Sequence, residues 1–424
     1  MKYYIIGIGG IGASYIARYL KVMGHNVSGC DAKQSTLTDE LIQEGLIVSI
    51  GHPTENISED IDMVLISPAI LASPSDDYKK AQMLGLTIKT WQEELSALTR
   101  SKKTIAVCGA HGKSTTSAML GYVLYELGAD PTVFTGTKVP QFDGKNVRIG
   151  KGEILVLEAD EFNENFLHYY PSMILCTSYE VDHLDYYEYE EKYRNAFVSF
   201  FKNMINNGKV MYHDQDIETK AIIHDAGKQG IGVDPSVHFE LTLIGKHNQQ
   251  NAGLVFQTCL ELGYNETIIR SALQKFQGTW RRQEYLGMYK DVMVYDDYAH
   301  HPTEIKATLK AFRDAFPDKK ITAIFQPHQY SRTLAFLDDF AQSFADCDTV
   351  LLMDIFASRD SEEIKKQISI EDVHSATSNH HQDVVLLKTK EEILKYCENN
   401  INDGIIITFG AGTVTEVGRE LVNI

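Results

Sequence analysis

Over the first hundred residues, short apolar runs at 3–6, 26–29, 63–67 and 86–89 alternate with longer stretches of helical spacing. Runs of this length between turn formers predict strands buried on both faces, and their alternation with helices predicts a parallel α/β layer. The pattern then recurs. Apolar runs at 105–107, 153–157 and 173–177 accompany long helical stretches such as 190–206. A last group of strands is expected at 292–295, 321–325, 349–353, 383–387 and 404–409. A polar patch at 99–103 and a break at 277–282 punctuate the chain, so three α/β domains are expected over 1–98, 99–277 and 278–424. No low-complexity tract or short-period repeat interrupts them.

Composition narrows the class. A chain of 424 residues is too long for one core. Its 43% hydrophobic content and mean hydropathy of -0.22 suit a globular protein, and no apolar run approaches the ~20 residues of a membrane span. The opening MKYYIIGIGGIG enters a strand at once without a small-residue cleavage site, so no signal peptide is expected. The six cysteines are scattered, none in a CxxC pair, which points to buried thiols and a cytoplasmic location. A net charge of -18 argues against nucleic acid as a partner. An anionic ligand would have to be held by local N–H cradles and a few placed cations. No membrane attachment is expected, and the chain is taken as a monomer or weak homodimer.

The most informative chemistry lies at 105–117, IAVCGAHGKSTTS. A strand, a glycine turn and a helix start present backbone N–H groups and a helix dipole to a polyphosphate. Lys113 supplies a cation for the outer phosphates and the Ser114 hydroxyl a ligand for Mg²⁺. The motif is a shortened phosphate loop, since Val107 stands where the longer form has its first glycine. Gly109, Ala110, His111, Gly112, Lys113, Ser114 and Thr115 are therefore expected to hold ATP. At the N-terminus, Gly7, Gly9, Gly10, Ile11 and Gly12 form a GxGxxG turn after a strand, and Asp31 follows a second strand where a ribose partner would sit. This turn alone fits either a dinucleotide or a nucleotide-sugar. Two nucleotide loops in one chain are better explained by an ATP-driven enzyme acting on a nucleotide-linked substrate.

Carboxylates and imidazoles gather at other strand ends. Glu158 closes the run ILVLE, and Asp182, His183 and Asp185 follow another buried run. Glu158 and His183 beside a phosphate loop can bridge Mg²⁺ to a transferring phosphoryl group. In the last third, DDYAHHPTE (296–304) and FQPHQYSRT (325–333) place His- and Arg-rich loops where α/β sheets bind ligands, although Pro302 and Thr303 also read as a helix start.

GIGGIG, GAHGKSTT, LEADE, DHLDYY, GKHNQQNA, WRRQE, DDYAHHPTEI, FQPHQYSRT and GAGT occur in this order along the chain. In these motifs the chain resembles the Mur ligases over essentially its whole length. The resemblance implies a Rossmann-like N-terminal domain for a UDP-sugar, a central P-loop ATPase-like domain, and a C-terminal Rossmann-like domain for an amino acid. It implies ATP-dependent amide-bond formation between L-alanine and the lactyl carboxylate of UDP-N-acetylmuramate, through an acyl phosphate, in peptidoglycan precursor synthesis. It further implies that Lys113 acts on the outer phosphates, and that Ser114, Glu158 and His183 hold Mg²⁺. His247, Asn248 and Asn251 would face adenine, Arg281 or Arg282 with Asp297 would complete the nucleotide site, and His300 and Arg332 would serve the amino acid.

Some positions depart from the family pattern. Gln329 stands where an Arg is expected, Ser114 replaces Thr, Thr177-Ser178-Tyr179-Glu180 replaces an Asn-containing stretch, and Val198 stands where sister ligases carry a modified Lys. Gln329 motivates the nearest alternative, a sister ligase adding another amino acid or a peptide to the same sugar. GIGGIG alone would suit an NAD-dependent dehydrogenase, which leaves the second loop without a role. A UDP-sugar sensor without catalysis would have no use for a Mg²⁺-ready loop.

Overall fold

A computed structural model describes residues 1–181, 184–205, 207–358 and 360–423. Three sheets carry the chain. The first comprises β1 (Lys2–Ile6), β2 (Asn26–Asp31), β3 (Ile47–Ile50), β4 (Met63–Ile66) and β5 (Ile88–Thr90), all parallel in the order β3-β2-β1-β4-β5. The second is built from β6 (Lys103–Cys108), β7 (Thr132–Val139), β8 (Lys145–Arg148), β9 (Ile154–Glu158), β10 (Met173–Cys176), β11 (Lys209–His213) and β12 (Gln229–Val233). Its order is β12-β11-β10-β6-β9-β7-β8. The third holds β13 (Glu284–Tyr289), β14 (Asp291–Asp297), β15 (Ile321–Phe325), β16 (Thr349–Leu352), β17 (Val384–Leu386) and β18 (Asp403–Phe409), ordered β13-β14-β18-β15-β16-β17. Only its first pair is antiparallel among those whose register is described. This is a three-domain α/β fold.

The expected apolar runs do form strands, with differences at their ends, while β3, β7, β8, β11, β12 and β13 lie outside those runs. The run at 86–89 starts late because Leu86 closes the preceding helix, its N–H donating to the Ala81 carbonyl beyond Gly85 at φ 65°. The expected helix 190–206 stops at Lys202. Asn203 then donates its side chain to the Leu167 carbonyl and Ile205 its N–H to Pro171, and both draw the chain off the helical path. All six cysteines are buried and unpaired. No helix among the described residues is long and apolar enough to cross a membrane.

Packing divides the chain into two compact units. One contains 1–138, 142–235 and 253–272; the other contains 139–141, 236–252 and 273–424. The first unit holds the first two sheets, joined by a common core. Tyr15, on the helix Ile11–Val22, stacks on Phe134 of the second sheet at 5.2 Å and donates its hydroxyl to the Thr135 carbonyl. Beside it Arg18, 4% exposed, bonds Glu44 at 2.8 Å, Glu40 at 3.3 Å and Asn146 at 3.2 Å. Glu40 is bridged in turn by Lys138 at 2.5 Å. Removing this guanidinium takes one of two cationic partners from each carboxylate, leaving Lys138 on Glu40 and Lys145 on Glu44. The variant Arg18→Ala is expected to destabilise the first unit by about 2 kcal/mol, less than for a fully buried pair because both carboxylates keep some water. Denaturant titration followed by circular dichroism checks it, and an unchanged midpoint would refute it.

Candidate active site

In the first unit, topology brings the chemistry together. β6 lies between β9 and β10, with Val107 opposite Glu158 and Cys108 opposite Cys176. The loop after β6 therefore emerges between the end of β9, which carries Glu158, and the segment after β10, which carries Thr177 to Glu180. Gly109 and Gly112 sit at φ 126° and 81°, and a Cβ on Gly109 would lie 2.4 Å from the Thr177 hydroxyl. The helix Lys113–Glu126 starts directly behind this turn, buried from Thr115 to Leu124.

The Lys113 ammonium donates to the Gly109 carbonyl at 2.6 Å, the Ala110 carbonyl at 3.3 Å and Glu161 Oε1 at 2.8 Å. Its side chain is 14% exposed, that of Glu161 wholly buried. Burial by itself would pull the lysine's pKa down; Glu161, Asp160 and Glu158 outweigh it and hold the ammonium above its ordinary value. Ser114 donates its hydroxyl to Glu158 Oε1 at 2.9 Å, and the Gly136 N–H donates to Oε2. Burial still leaves the Glu158 carboxyl above its usual range. A half-buried carboxylate and an adjoining hydroxyl form a hard oxygen donor set, which fits Mg²⁺. His183, expected as the third ligand, lies outside the described residues. At the N-terminal turn, Asp31 Oδ2 accepts the Gly9 N–H at 2.9 Å. Gly10 caps the helix without a side-chain bond, and Ile11 stands 50% exposed at its first position.

The second unit carries the other candidates. β18 separates β14 from β15, so the loops after β14 and β15 flank the Gly410 to Thr413 turn. Arg281 is 4% exposed and fully engaged. Its Nε bonds Asp296 at 2.8 Å and its Nη atoms reach the Gly410 and Gly412 carbonyls. Arg282 keeps 30% of its side chain exposed, 3.5 Å from Glu304. Asn248 and Asn251 are buried on the helix Lys246–Glu261, and Gln283 bonds both His247 at 3.2 Å and Asn248 at 3.3 Å. Burial, then the Arg282 charge, lowers His247 to about 4. Burial also lowers His300 to about 4, with Arg332 adding to the effect. His300 is therefore neutral near pH 7. Its Nδ1 lies 3.1 Å from the Tyr298 carbonyl, which can only accept, so Nδ1 carries the proton and Nε2 keeps a lone pair. The helix Pro302–Ala315 begins with the expected proline, capped by His301 and Glu304.

Comparison with known proteins decides what these sites belong to. The family description "Mur ligase family, catalytic domain" matches residues 2–103, "Mur ligase middle domain" matches 107–234, and "Mur ligase, glutamate ligase domain" matches 281–412. The chain belongs to the Mur ligase family. Among its relatives is the UDP-N-acetylmuramate–L-alanine ligase of Carboxydothermus hydrogenoformans, 33% identical over 99% of this chain and 96% of that protein. Another with the same name, from Desulforamulus reducens, is 36% identical over 99% and 97%. The crystal structure of UDP-N-acetylmuramate-alanine ligase from Thermotoga maritima superposes with a TM-score of 0.79 at 26% identity, covering 100% of this chain and 98% of that one.

Two braces in this Mur ligase escaped the reading of its sequence. Thr177 donates to the carbonyls of Cys108 and His111, Ser178 accepts the Ala110 and His111 N–H groups, and Glu180 lies 3.0 Å from His111. The segment that departs from the family pattern thus shapes the phosphate loop. Gln283 performs a similar service for His247 and Asn248, and a side chain one residue past a pair of arginines carries no signal of it.

Asp297 stores instability in the site. Burial raises its carboxyl from 3.8 to about 6, against Arg282 and hydrogen bonds from Ala299 and Thr308. The folded chain holds this proton more tightly than the unfolded one, so stability falls as pH rises from about 4 to about 6 and stays lowered above. The full shift corresponds to about 3 kcal/mol. Asp297→Asn is expected to raise the unfolding temperature of the second unit at about pH 8, with the gain fading towards pH 4. Calorimetry across this range tests it; a gain independent of pH would count against the buried charge.

Proposed function

We propose that this Mur ligase joins L-alanine to the lactyl carboxylate of UDP-N-acetylmuramate with ATP, dividing its work between domains at 1–98, 99–277 and 278–424. The observation that carries this reading is the ammonium of Lys113 at a helix N-terminus among Glu158, Asp160 and Glu161, with the Ser114 hydroxyl on Glu158. The full-length similarity to relatives named for this reaction supports the choice of substrates.

A carboxylate is a poor electrophile towards an amine, and transfer of a phosphoryl group to it from ATP supplies a leaving group. The amine then attacks the carbonyl carbon and phosphate departs. The chain's part is positioning and charge neutralisation. In this reading Lys113 leaves Glu161 for the outer phosphates, guided by the helix dipole behind it. Glu158 and Ser114 hold Mg²⁺, which when bound neutralises charge on the transferring phosphoryl group, with His183 as a further ligand. The turn from Gly7 to Gly12, steadied by Asp31, takes the UDP diphosphate. Arg282 rather than Arg281 contacts the nucleotide, because the guanidinium of Arg281 is already committed. Asp297 sits with Arg282, and His247, Asn248 and Asn251 face adenine. Arg332 pairs with the alanine carboxylate, while His300 offers Nε2 to the amine. A pKa of about 4 makes His300 a hydrogen-bond acceptor that orients the amine, too weak a base to hold a second proton at Nε2 near pH 7.

ATP hydrolysis by the purified protein is expected to require both UDP-N-acetylmuramate and L-alanine. Lys113→Ala is expected to lower turnover by about 10³-fold or more while the UDP-sugar still binds. Hydrolysis indifferent to either substrate would refute the reading. Gln329 favours a second one, a sister ligase with a different acceptor, since a residue at φ 70° stands where a cation is expected. A panel of amino acids and peptides compared by kcat/KM separates the two. If alanine is the acceptor, Gln329→Arg is expected to lower its KM, and a raised KM would remove that position from the carboxylate clamp.

A further inference from the structure

One side-chain cluster outside these sites has the makeup of a metal-ligand set. Cys30, next to last in β2, His52, two residues past β3, and Asp77, in the first turn of the helix Asp76–Met83, meet at the C-terminal edge of the first sheet. Cys30 Sγ lies 3.0 Å from Asp77 Oδ2, His52 Nδ1 lies 3.2 Å from the same oxygen, and Sγ and Nδ1 are 3.9 Å apart. Cys30 and Asp77 are wholly buried, whereas the imidazole of His52 is 30% exposed. Ligands at ordinary zinc distances in a tetrahedron stand about 3.3–3.6 Å apart, so the three atoms could close on one ion with shifts of a few tenths of an ångström.

The local charge also suits a cation. Asp77 Oδ2 is held by Cys30 and His52, with Oδ1 taking the Tyr78 N–H at 2.9 Å. A bound cation would take the place of the Cys30 thiol proton and pair with the Asp77 carboxylate.

We propose that Cys30, His52 and Asp77 bind a soft divalent cation of the Zn²⁺ class, with a fourth position open to water beside His52. A thiolate in the set selects against Mg²⁺, so this site is chemically distinct from the Ser114–Glu158 pair. The ion ties together three elements that the chain connects only through turns. One residue further along β2, Asp31 holds the Gly9 N–H, so occupancy stiffens the glycine turn at its base.

The test uses the full chain, stripped with chelator and titrated with Co²⁺ without nucleotide. One equivalent is expected to give a thiolate-to-cobalt charge-transfer band that equimolar Zn²⁺ erases and excess Mg²⁺ leaves intact. Cys30→Ser is expected to abolish the band. His52→Gln, at a half-exposed position that spares the fold, is expected to weaken Co²⁺ binding by at least about tenfold. Absence of a band in the folded wild-type protein overturns the site, as does a band that survives Cys30→Ser. Undiminished affinity in His52→Gln overturns the three-ligand assignment, and that variant decides the matter should Cys30→Ser fail to fold.

Discussion

The ion pair between Lys113 and Glu161 is the constraint around which the first unit is arranged. A largely buried ammonium, its side chain 14% exposed, needs compensation, and here it comes from a carboxylate three residues beyond Glu158 and from two carbonyls of the lysine's own loop. That pairing closes the loop on itself and keeps the lysine charged inside the protein. It also creates a surplus of negative charge, because Glu158 and Asp160 share the same surroundings. A site with one committed cation, one buried carboxylate and two half-buried ones is poised for a divalent ion, and anionic phosphates gain from both. Glu161 therefore stabilises the resting loop and competes with the substrate for the same ammonium.

Sheet order converts this local balance into a site. In the first two sheets the glycine turns leave central strands, β1 and β6, at positions where neighbouring strands on either side lead away. A loop at such a point has open space above it and partners on both flanks. For β6 the flanks supply Glu158 on one side and the Thr177–Glu180 brace on the other. In the third sheet β18 plays the equivalent part, with the loops of Asp297 and His328 on either side. Parallel pairing brings these chemically active ends to the same edge of each sheet, however far apart they lie in the sequence.

Much of this was legible in advance for a physical reason. Strands buried on both faces must be apolar throughout, so the runs stood out, and three groups of them separated by polar breaks implied three α/β domains. Glycine turns with Lys and Ser in register are recognisable because phosphate chemistry tolerates few alternatives. Element ends were less legible, since Leu86 is held by a local helix-end bond to the Ala81 carbonyl and Asn203 is drawn off pattern by a bond to the distant Leu167 carbonyl. The braces were least legible. Thr177, Ser178 and Gly136 act through positions set by strand register, and no spacing in the sequence encodes it.

The two neighbouring arginines illustrate the limit most sharply. Arg281 sits at φ 56° and Gln283 at φ 52°, a strained path for residues with side chains. Along it Arg281 turns inward, where Asp296 and the carbonyls of Gly410 and Gly412 absorb its charge, and Arg282 is left partly exposed near Glu304. Asp296 is itself fixed by the hydroxyls of Thr408 and Thr415. The inward arginine thus pins the GAGT turn to the start of the third sheet, and the strain is sustained by that network. The same anchor sets the direction of its neighbour, so Arg281 governs through geometry where the charge of Arg282 stands. A motif records that both residues matter; only the fold separates the one that holds from the one that reaches.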